Sequence, residues 1–398
     1  MCITFQYFVS YTPVMGDFDR YARLTAGLDA PYAVIDLAAF RRNADDLVRR
    51  AAGTPIRIAS KSVRCRPLIA AALERPGFHG VMSYALPEAL WLARNGTDDI
   101  LLGYPTTHRT ALRELSEDPE AASRITLMID SPEHLGFIRA AATGPARIQV
   151  CLDVDASLRI FGQHLGVRRS PLRTPAEVAT LARTVAADDR FELTGVMFYE
   201  AQIAGLPDTS PAVRWVKRRS AAELADRRGA VVDAVKQVAP LRIVNSGGTG
   251  SLEVSSADPV VTEVTAGSGL YGPTLFDKYD VFQPEHAMAY ALDVVRRPAP
   301  RIATLFGGGY VASGPAKKSR LPSPAHPQGL TLLGTEGAGE VQTPVQGRSA
   351  ERLEIGARVW MRYAKAGEML ERFDVLYAVD GEDVHELRTY RGEGKNFG

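Results

Sequence analysis

The sequence has few cysteines, almost no net charge and no long apolar run, and each shortage excludes a class of protein. Its three cysteines, Cys2, Cys65 and Cys151, are too far apart for a zinc knuckle or a disulfide framework, which predicts a reducing compartment. The 47 Lys and Arg residues balance 46 Asp and Glu residues, so charge gives no reason to expect nucleic acid as a partner. Without a run of about 18 apolar residues or a signal-peptide pattern, we expect no membrane span and a cytoplasmic protein.

What the sequence does contain is a succession of short apolar runs that end abruptly in polar or glycine residues and alternate with stretches of helical character. Pro87–Arg94 and Pro175–Arg183 are two of those helical stretches, each with proline in a first turn. The apolar runs are eight: 56–60, 80–83, 99–102, 125–129, 148–152, 193–198, 241–244 and 261–264. Eight strands alternating with helices over about 250 residues predict an α/β fold, a (β/α)8 barrel of the TIM type, with a doubly wound sheet as the alternative.

The texture changes after about residue 285, where Gly and Pro are frequent and short alternating runs such as 289–295 and 358–363 replace the helical stretches. We therefore expect a barrel over residues 30–285 and a C-terminal β-rich domain over residues 286–398. Pro31–Leu37 reads as a strand before the first barrel helix, so residues 1–36 are expected to join the β-rich domain.

In (β/α)8 barrels the reactive groups follow the carboxyl ends of the strands. Here the residues at those positions are Lys61, Tyr84, Tyr104, Asp130, Asp153 and Asp155, Tyr199 with Glu200, Asn245, and Thr265. Lys61 follows the first run directly, where partial desolvation lowers the pKa of an amine and makes it a nucleophile toward a carbonyl. Taken alone, a surface lysine at a strand end is the commoner interpretation.

Two glycine loops change that balance. Asn245–Ser251 follows the seventh run and Ala266–Gly272 the eighth, the positions where such barrels commonly hold a phosphate. Glycine lets successive backbone N–H groups approach an anion, and Ser and Thr hydroxyls add donors. A phosphate anchor opposite an amine is what pyridoxal 5'-phosphate (PLP) requires, and this cofactor accepts electrons from carbanions at the Cα of amino acids.

Three further side chains could serve the same site. Tyr199 could transfer a proton or form a wall for the cofactor ring, although a core tyrosine is an equal alternative. Arg159 and His164 follow the fifth run and could face the cofactor or a substrate carboxylate, although a salt-bridged surface arginine is commoner.

Motifs along almost the whole chain resemble those of the alanine-racemase-fold (fold type III) PLP enzymes. The similarity is to D-threonine aldolases, D-serine dehydratases and the amino acid deaminase/aldolase branch. The motifs that carry it are 31–37, 57–65, 199–202, 246–250 and 267–271, and those typical of the deaminase/aldolase branch are 307–310, 336–343 and 365–368.

This resemblance implies a head-to-tail homodimer, with each active site completed by the partner's β domain and with PLP on Lys61 as a Schiff base. It places the phosphate on the two glycine loops and Tyr199 near the cofactor. The expected catalytic residues are Lys61, Tyr199, His164 and Tyr363. The expected cofactor-binding residues are Lys61, Arg159, Tyr199, Gln202, Ser246, Gly247, Gly248, Thr249, Gly250, Gly267, Ser268, Gly269 and Tyr271.

The sequence departs from the resemblance at the metal site. D-Threonine aldolases and D-serine dehydratases hold a metal on a C-terminal histidine and a second ligand two residues later, but Tyr363 and Lys365 stand here. Neither is an ordinary ligand for a divalent ion. The seven histidines form no pair at ligand spacing. We expect no histidine-ligated metal, with a metal on Glu336, Glu340 or Glu368 as the weaker alternative.

The leading hypothesis is a PLP-dependent lyase of the aldolase type, or a C–C bond-forming transferase, that acts on a small D- or β-hydroxy amino acid. Tyr363 or His164 would serve as the base that removes the β-hydroxyl proton. The alternatives are a racemase or epimerase with Lys61 and a second base, a non-catalytic PLP carrier, and a barrel whose Lys61 attacks a carbonyl substrate without PLP. The long β module argues against the carrier.

Overall fold

The structure is a computed structural model that describes residues 17–315 and 317–398. Residues 1–16 of the joining segment 1–36 lie outside the described residues. Within the described residues, no helix combines the length and apolar character needed to cross a bilayer. The strands, numbered in chain order, are β1 (Tyr32–Asp36), β2 (Ile56–Ala59), β3 (Phe78–Ser83), β4 (Ile100–Leu102), β5 (Ile125–Ile129), β6 (Ile148–Val154), β7 (Leu158–Ile160), β8 (Gln163–Leu165), β9 (Phe191–Phe198), β10 (Ile243–Ser246), β11 (Glu263–Ala266), β12 (Met288–Ala299), β13 (Ile302–Phe306), β14 (Ser323–His326), β15 (Thr331–Leu332), β16 (Gln342–Gln346), β17 (Arg358–Arg362), β18 (Val375–Asp380) and β19 (Asp383–Arg388). The helices are α1 (Phe18–Leu24), α2 (Leu37–Ala51), α3 (Arg66–Leu73), α4 (Leu86–Arg94), α5 (Arg109–Glu117), α6 (Pro119–Arg124), α7 (Pro132–Ala141), α8 (Pro175–Ala186), α9 (Ala201–Ala204), α10 (Pro211–Lys236) and α11 (Leu252–Ser256).

Eight parallel strands close into a barrel in the order β10, β11, β2, β3, β4, β5, β6, β9. Pairing of β11 with β2 closes the ring, with Val264 opposite Ile56 and Ala266 opposite Ile58. The closed ring confirms the predicted barrel, and the alternative of a doubly wound sheet is wrong. The short continuous apolar runs form strands that are buried on both faces, as parallel strands covered by helices require.

The last two barrel strands extend two residues beyond the apolar runs that predicted them. Asn245 and Ser246 continue β10 because their backbone pairs with Glu263 and Val264 of β11. The Asn245 side-chain amide also donates to Thr265 Oγ1 at 2.8 Å. Polar side chains that find partners inside the barrel thus lengthen the strands at their carboxyl ends.

Local sequence signals set the helix ends. At α8 the Thr174 hydroxyl accepts from the Glu177 backbone N–H while the Glu177 carboxylate accepts from the Thr174 backbone N–H. This reciprocal cap satisfies donors that a helix start leaves free, and Pro175 needs no donor in the first turn. Val178 and Leu181 then place apolar side chains on the buried face of α8.

A buried ionic cluster fills the amino-terminal end of the barrel. The Arg57 guanidinium is fully buried and donates to Glu263 at 2.7 Å and to Asp99 at 3.0 Å. His79 lies 3.2 Å from Glu263 and 3.4 Å from Asp99. The side chains of four neighbouring strands or strand entries therefore meet at the end of the barrel away from the glycine loops.

The C-terminal residues form a nine-stranded sheet that includes β1. Strand β1 lies between β12, to which it is antiparallel, and β18, to which it is parallel. The chain leaves this sheet at Asp36, whose carboxylate caps α2 by accepting from Ala39 N at 2.9 Å. The strand expected to join the β-rich domain is thus a central strand of its sheet, while the boundary at residue 285 stays a prediction.

Candidate active site

A cavity of about 310 Å³ lies between the carboxyl ends of the barrel strands and the C-terminal sheet domain. Its barrel wall carries Lys61, Tyr104, Arg169 and Tyr199 together with residues of both glycine loops. Its opposite wall includes residues of the sheet domain, namely Ser313, Arg320, Lys365, Ala366 and Glu368. The polar groups that follow the strands therefore do converge, and the chain's own sheet domain borders them.

Lys61 occupies a helical turn, Ser60–Ser62, that follows β2 directly. The Ser60 hydroxyl anchors this turn by donating to Met82 O at 3.0 Å. From the other side Gly367, with a φ of +99°, packs so closely that a Cβ would overlap the Lys61 carbonyl oxygen. Glycine is required there because other residues are strained at such a φ. The lysine backbone is fixed, and its amine points into the cavity.

The Lys61 amine donates a hydrogen bond to the Tyr104 hydroxyl. Burial opposes ionisation of the Tyr104 phenol, but the adjacent Lys61 ammonium and the Arg169 guanidinium outweigh it and lower the pKa of Tyr104. Burial raises the pKa of Tyr199, and the opposing effect of Lys61 and Arg169, which lower it, is the smaller one. The two tyrosines in the cavity are thus electrostatically different, and Tyr104 is the one whose phenolate is favoured.

Arg169 lies between these two tyrosines, 5.4 Å from the ring centre of Tyr104 and 5.0 Å from that of Tyr199. The sequence analysis assigned no role to Arg169 and named Arg159 after the fifth run instead. The fold of that segment decides which arginine faces the cavity.

Glu200 holds the first glycine loop in shape. Its fully buried carboxylate accepts from Ser246 Oγ at 3.0 Å, from the Gly247 N–H at 3.2 Å and from Ser251 Oγ at 2.8 Å. The Ser255 hydroxyl also donates to it. A carboxylate with this many donors is well compensated for its burial. Glu200 was predicted only as a strand-end residue, and its role depends on loop geometry that the sequence does not reveal.

The two loops fit a phosphate-bearing cofactor. A Cβ on Gly267 would lie 2.7 Å from Ala59 O, and one on Gly250 would overlap Ala204 O, so only glycine allows this packing. Ser268 Oγ donates to Thr249 Oγ1 at 3.2 Å and joins the loops. Each loop then enters a short helical turn, Thr249–Ser251 in the first loop and Ser268–Leu270 in the second, and the backbone N–H groups at the start of such a turn suit an anion. PLP has the phosphate for these loops and the aldehyde for the Lys61 amine.

The structure brings part of the predicted site together. The predicted residues that line the cavity are Lys61, Tyr199, Gly247, Gly248, Thr249, Gly250, Gly267 and Ser268. Ser246 and Gly269 lie behind them, where the Ser246 hydroxyl contacts Glu200 and Arg228 and the Gly269 N–H donates to Thr249 Oγ1 at 3.1 Å.

Besides Ser246 and Gly269, five predicted residues lie outside the cavity lining. Arg159 and His164 face each other across the β7–β8 hairpin, where Arg159 pairs with Asp155 at 2.8 Å. Gln202 donates to Ala156 O at 2.7 Å. These contacts position backbone around the site, and they occur because the hairpin and α9 turn the side chains away from the cavity.

The two buried tyrosines of the prediction also have packing roles here. Tyr271 donates to Val63 O at 2.7 Å, and Tyr363 donates to Tyr271 O at 3.2 Å. Burial raises the pKa of Tyr363 well above the usual value, so its phenol is a poor base. Spacing alone could not show that Tyr363 points into the core while Lys365, two residues on, reaches the cavity.

The predicted alternative metal ligands are dispersed. Glu336 and Glu340 are exposed, and Glu368 borders the cavity, where it accepts from the Ser313 N–H at 2.8 Å. Across residues 17–315 and 317–398, no three His, Cys, Asp or Glu side chains are grouped as metal ligands. The metal status stays a prediction.

Comparison with known proteins places this geometry in a family. The model described as "Alanine racemase, N-terminal domain" matches residues 35–274, more than half of the chain. A D-threonine aldolase from Arthrobacter sp. is 27% identical over 299 residues, which cover 71% of this chain and 72% of that protein. The structure of D-threonine aldolase from Filomicrobium marinum is similar with a TM-score of 0.78 at 21% identity, over 93% of this chain and 96% of the other. The structure of D-threo-3-hydroxyaspartate dehydratase from Delftia sp. HT23 is similar with a TM-score of 0.71 at 21% identity, over 92% of this chain and 98% of the other. The chain therefore belongs to the alanine racemase N-terminal domain family, and it is an enzyme of the alanine-racemase fold.

Proposed function

We propose that this enzyme is a PLP-dependent lyase of the aldolase type that acts at the Cα of a small D- or β-hydroxy amino acid. The observation that carries the proposal is that Lys61 and both glycine loops line one cavity. The similarity to D-threonine aldolase supports the choice of aldol chemistry among the reactions of this fold.

Lys61 would hold PLP through its amine, and Thr249, Ser268 and the loop N–H groups would hold the phosphate. When bound, PLP supplies an electron sink for the carbanion that forms at Cα. Arg169 lies 5.4 Å from the ring centre of Tyr104 and 5.0 Å from that of Tyr199, and its guanidinium is suited to a substrate carboxylate.

Proton transfer is assigned to Tyr104. Its hydroxyl accepts a hydrogen bond from the Lys61 amine, and the two neighbouring cations favour its phenolate. A phenolate at this point can accept the proton of a β-hydroxyl, which leaves a carbonyl as the Cα–Cβ bond breaks. This assignment replaces the predicted bases His164 and Tyr363, which do not line the cavity.

The test is the visible absorbance of the purified protein and its reaction with amino acids. We expect a band from bound PLP that is lost in Lys61→Ala and kept in Lys236→Ala, a control on the exposed end of α10. With D-β-hydroxy amino acids, the wild type should release an aldehyde. Binding of PLP with exchange of the Cα proton and no aldehyde would contradict the lyase assignment.

A racemase or epimerase is the second candidate. The favouring observation is that the cavity lining offers a phenol, Tyr104 or Tyr199, as a second group able to transfer a proton besides the Lys61 amine. Chiral analysis of single amino acids after incubation separates the two reactions. If the protein were a non-catalytic PLP carrier, neither reaction would occur. If Lys61 attacked a carbonyl substrate without PLP, the purified protein would have no visible absorbance band.

The assembly and location remain expectations of the resemblance and the composition. We propose a head-to-tail homodimer in the cytoplasm, with a small amino acid and an aldehyde as the reaction partners. Light scattering of the purified enzyme would contradict the dimer if it gave the mass of one chain at micromolar concentration.

A further inference from the structure

The cavity is lined by more cations than the proposed reaction uses. Lys61, Arg64, Arg169, Arg320 and Lys365 border it, whereas Glu368 is the one carboxylate in the described lining. Arg64 pairs with Glu371 behind the cavity wall. Lys61 is assigned to the cofactor and Arg169 to the substrate α-carboxylate. Two cations on the sheet-domain wall, Arg320 and Lys365, are left without an assigned partner.

Among the described residues, the hydrogen-bond partners of the Lys365 amine are neutral groups. Its amine donates to Ser313 Oγ at 3.2 Å and to Ser313 O at 3.3 Å. Burial lowers the pKa of Lys365, the Arg320 guanidinium and the Lys61 amine lower it further, and Glu368 opposes them. A partly buried ammonium among other cations is costly unless an anion joins it.

Arg320 is in a similar state. Its Nη1 donates to Ser319 O at 3.3 Å, and its Nε is buried without a hydrogen-bond partner. No carboxylate of the described residues pairs with it at ion-pair distance. The loop packs closely on this side chain, because a Cβ on Gly314 would lie 2.7 Å from Arg320 Nε. The Arg320 guanidinium is therefore held at the cavity wall and has N–H groups that remain able to donate to a ligand.

We infer that Arg320 and Lys365 bind a carboxylate on the side chain of the substrate, which makes the substrate a dicarboxylic amino acid. The inference rests on the proposed function and names its substrate class. Arg320 and Lys365 carry two positive charges, and the neighbouring Glu368 carries one negative charge, so the wall matches one carboxylate better than a phosphate dianion.

The chemistry balances without any redox partner. In a β-hydroxy dicarboxylic amino acid, the β-hydroxyl gives its proton to Tyr104, its oxygen forms a carbonyl double bond, and the Cα–Cβ bond breaks. The electron pair of that bond stays on Cα, which gains a proton. The products are glycine and an aldehyde that bears the carboxylate, so Arg320 and Lys365 would also hold the leaving fragment.

The experiment uses the PLP-loaded enzyme and a nearly isosteric pair of ligands, aspartate and asparagine, each as the D and L form. The change in visible absorbance on titration gives the apparent Kd. For the favoured enantiomer we expect aspartate to bind at least about tenfold more tightly, as one charge-assisted hydrogen bond can provide. Lys365→Gln and Arg320→Gln should each raise the Kd of aspartate about tenfold and leave that of asparagine within about twofold.

The controls separate a charge effect from a structural one. Lys318 is an exposed lysine of the same segment that does not line the cavity. Lys318→Gln should therefore leave the ratio of the aspartate Kd to the asparagine Kd unchanged. Lys365→Arg should keep the preference for aspartate, which answers the case in which Lys365→Gln fails to fold. In turnover, the Gln variants should have a raised KM for 3-hydroxyaspartate, whereas their KM for threonine should be little changed.

Equal binding of aspartate and asparagine, or equal weakening of both in the Gln variants, would overturn this inference and leave the proposed function standing, since the PLP band would persist. A wild-type protein without a PLP band would overturn both.

Discussion

At the scale of single residues, the contact between Lys61 and Tyr104 is the feature with the clearest consequence for catalysis. Tyr104→Phe removes the hydroxyl that accepts from the Lys61 amine. We expect kcat to fall about 10²-fold, the lower range for loss of a general acid or base, while the visible PLP band remains.

A pH profile tests the same assignment. Because the base must be ionised, kcat of the wild type should rise with pH through a value below the usual phenol pKa of Tyr104, and Tyr104→Phe should lose that limb. Tyr377→Phe in β18 is the matched control. A Tyr104→Phe variant with unchanged kcat and profile would assign the base elsewhere.

The residue scale also shows which positions sequence reasoning can reach. Lys61 was expected at the mouth of the barrel because a strand end fixes where its backbone lies, and it lines the cavity. Arg169, Glu200 and Lys365 were assigned no role, since the direction of a side chain in a loop depends on what packs against it. The same cause places Tyr363 in the core, where its hydroxyl meets Tyr271 O.

At the scale of elements, the two glycine loops are expected to determine cofactor affinity. A Cβ on Gly267 would lie 2.7 Å from Ala59 O and 3.0 Å from Ser62 Cβ, so Gly267→Ala must displace the loop from the Lys61 turn. Loss of one charge-assisted hydrogen bond to the phosphate would weaken PLP binding about tenfold or more.

Titration of the dialysed protein with PLP measures this affinity. Gly136→Ala in α7 is the control, because nothing lies within 4 Å of its added Cβ. Circular dichroism should show both variants folded. A Gly267→Ala variant that retains wild-type PLP affinity would show that this loop does not hold the phosphate.

At the scale of the whole molecule, the ionic cluster at the amino-terminal end of the barrel should make stability depend on pH. Hydrogen bonds to Asp99 and Glu263 raise the pKa of His79 to about 9 from an ordinary value of 6.5. Because the folded pKa is the higher one, this stabilisation is complete below pH 6.5 and is lost as pH rises through about 9.

Urea unfolding of the wild type and His79→Gln measures this effect. The difference in unfolding free energy should be largest at pH 6 and should shrink by pH 9.5, whereas the exposed His385→Gln should show no such trend. A difference that does not change with pH would mean that His79 acts by packing alone.

The sequence by itself determined the barrel, the lysine and the two glycine loops. Parallel strands buried on both faces must be continuous apolar runs, and loops that approach an anion need glycine, so both leave local signals. Tertiary structure alone decided the rest of the site. Arg169, Arg320 and Lys365 reach the cavity because the hairpin, the sheet domain and the Gly367 turn pack onto the barrel mouth, and contacts between residues distant in the chain leave no periodic signal in it.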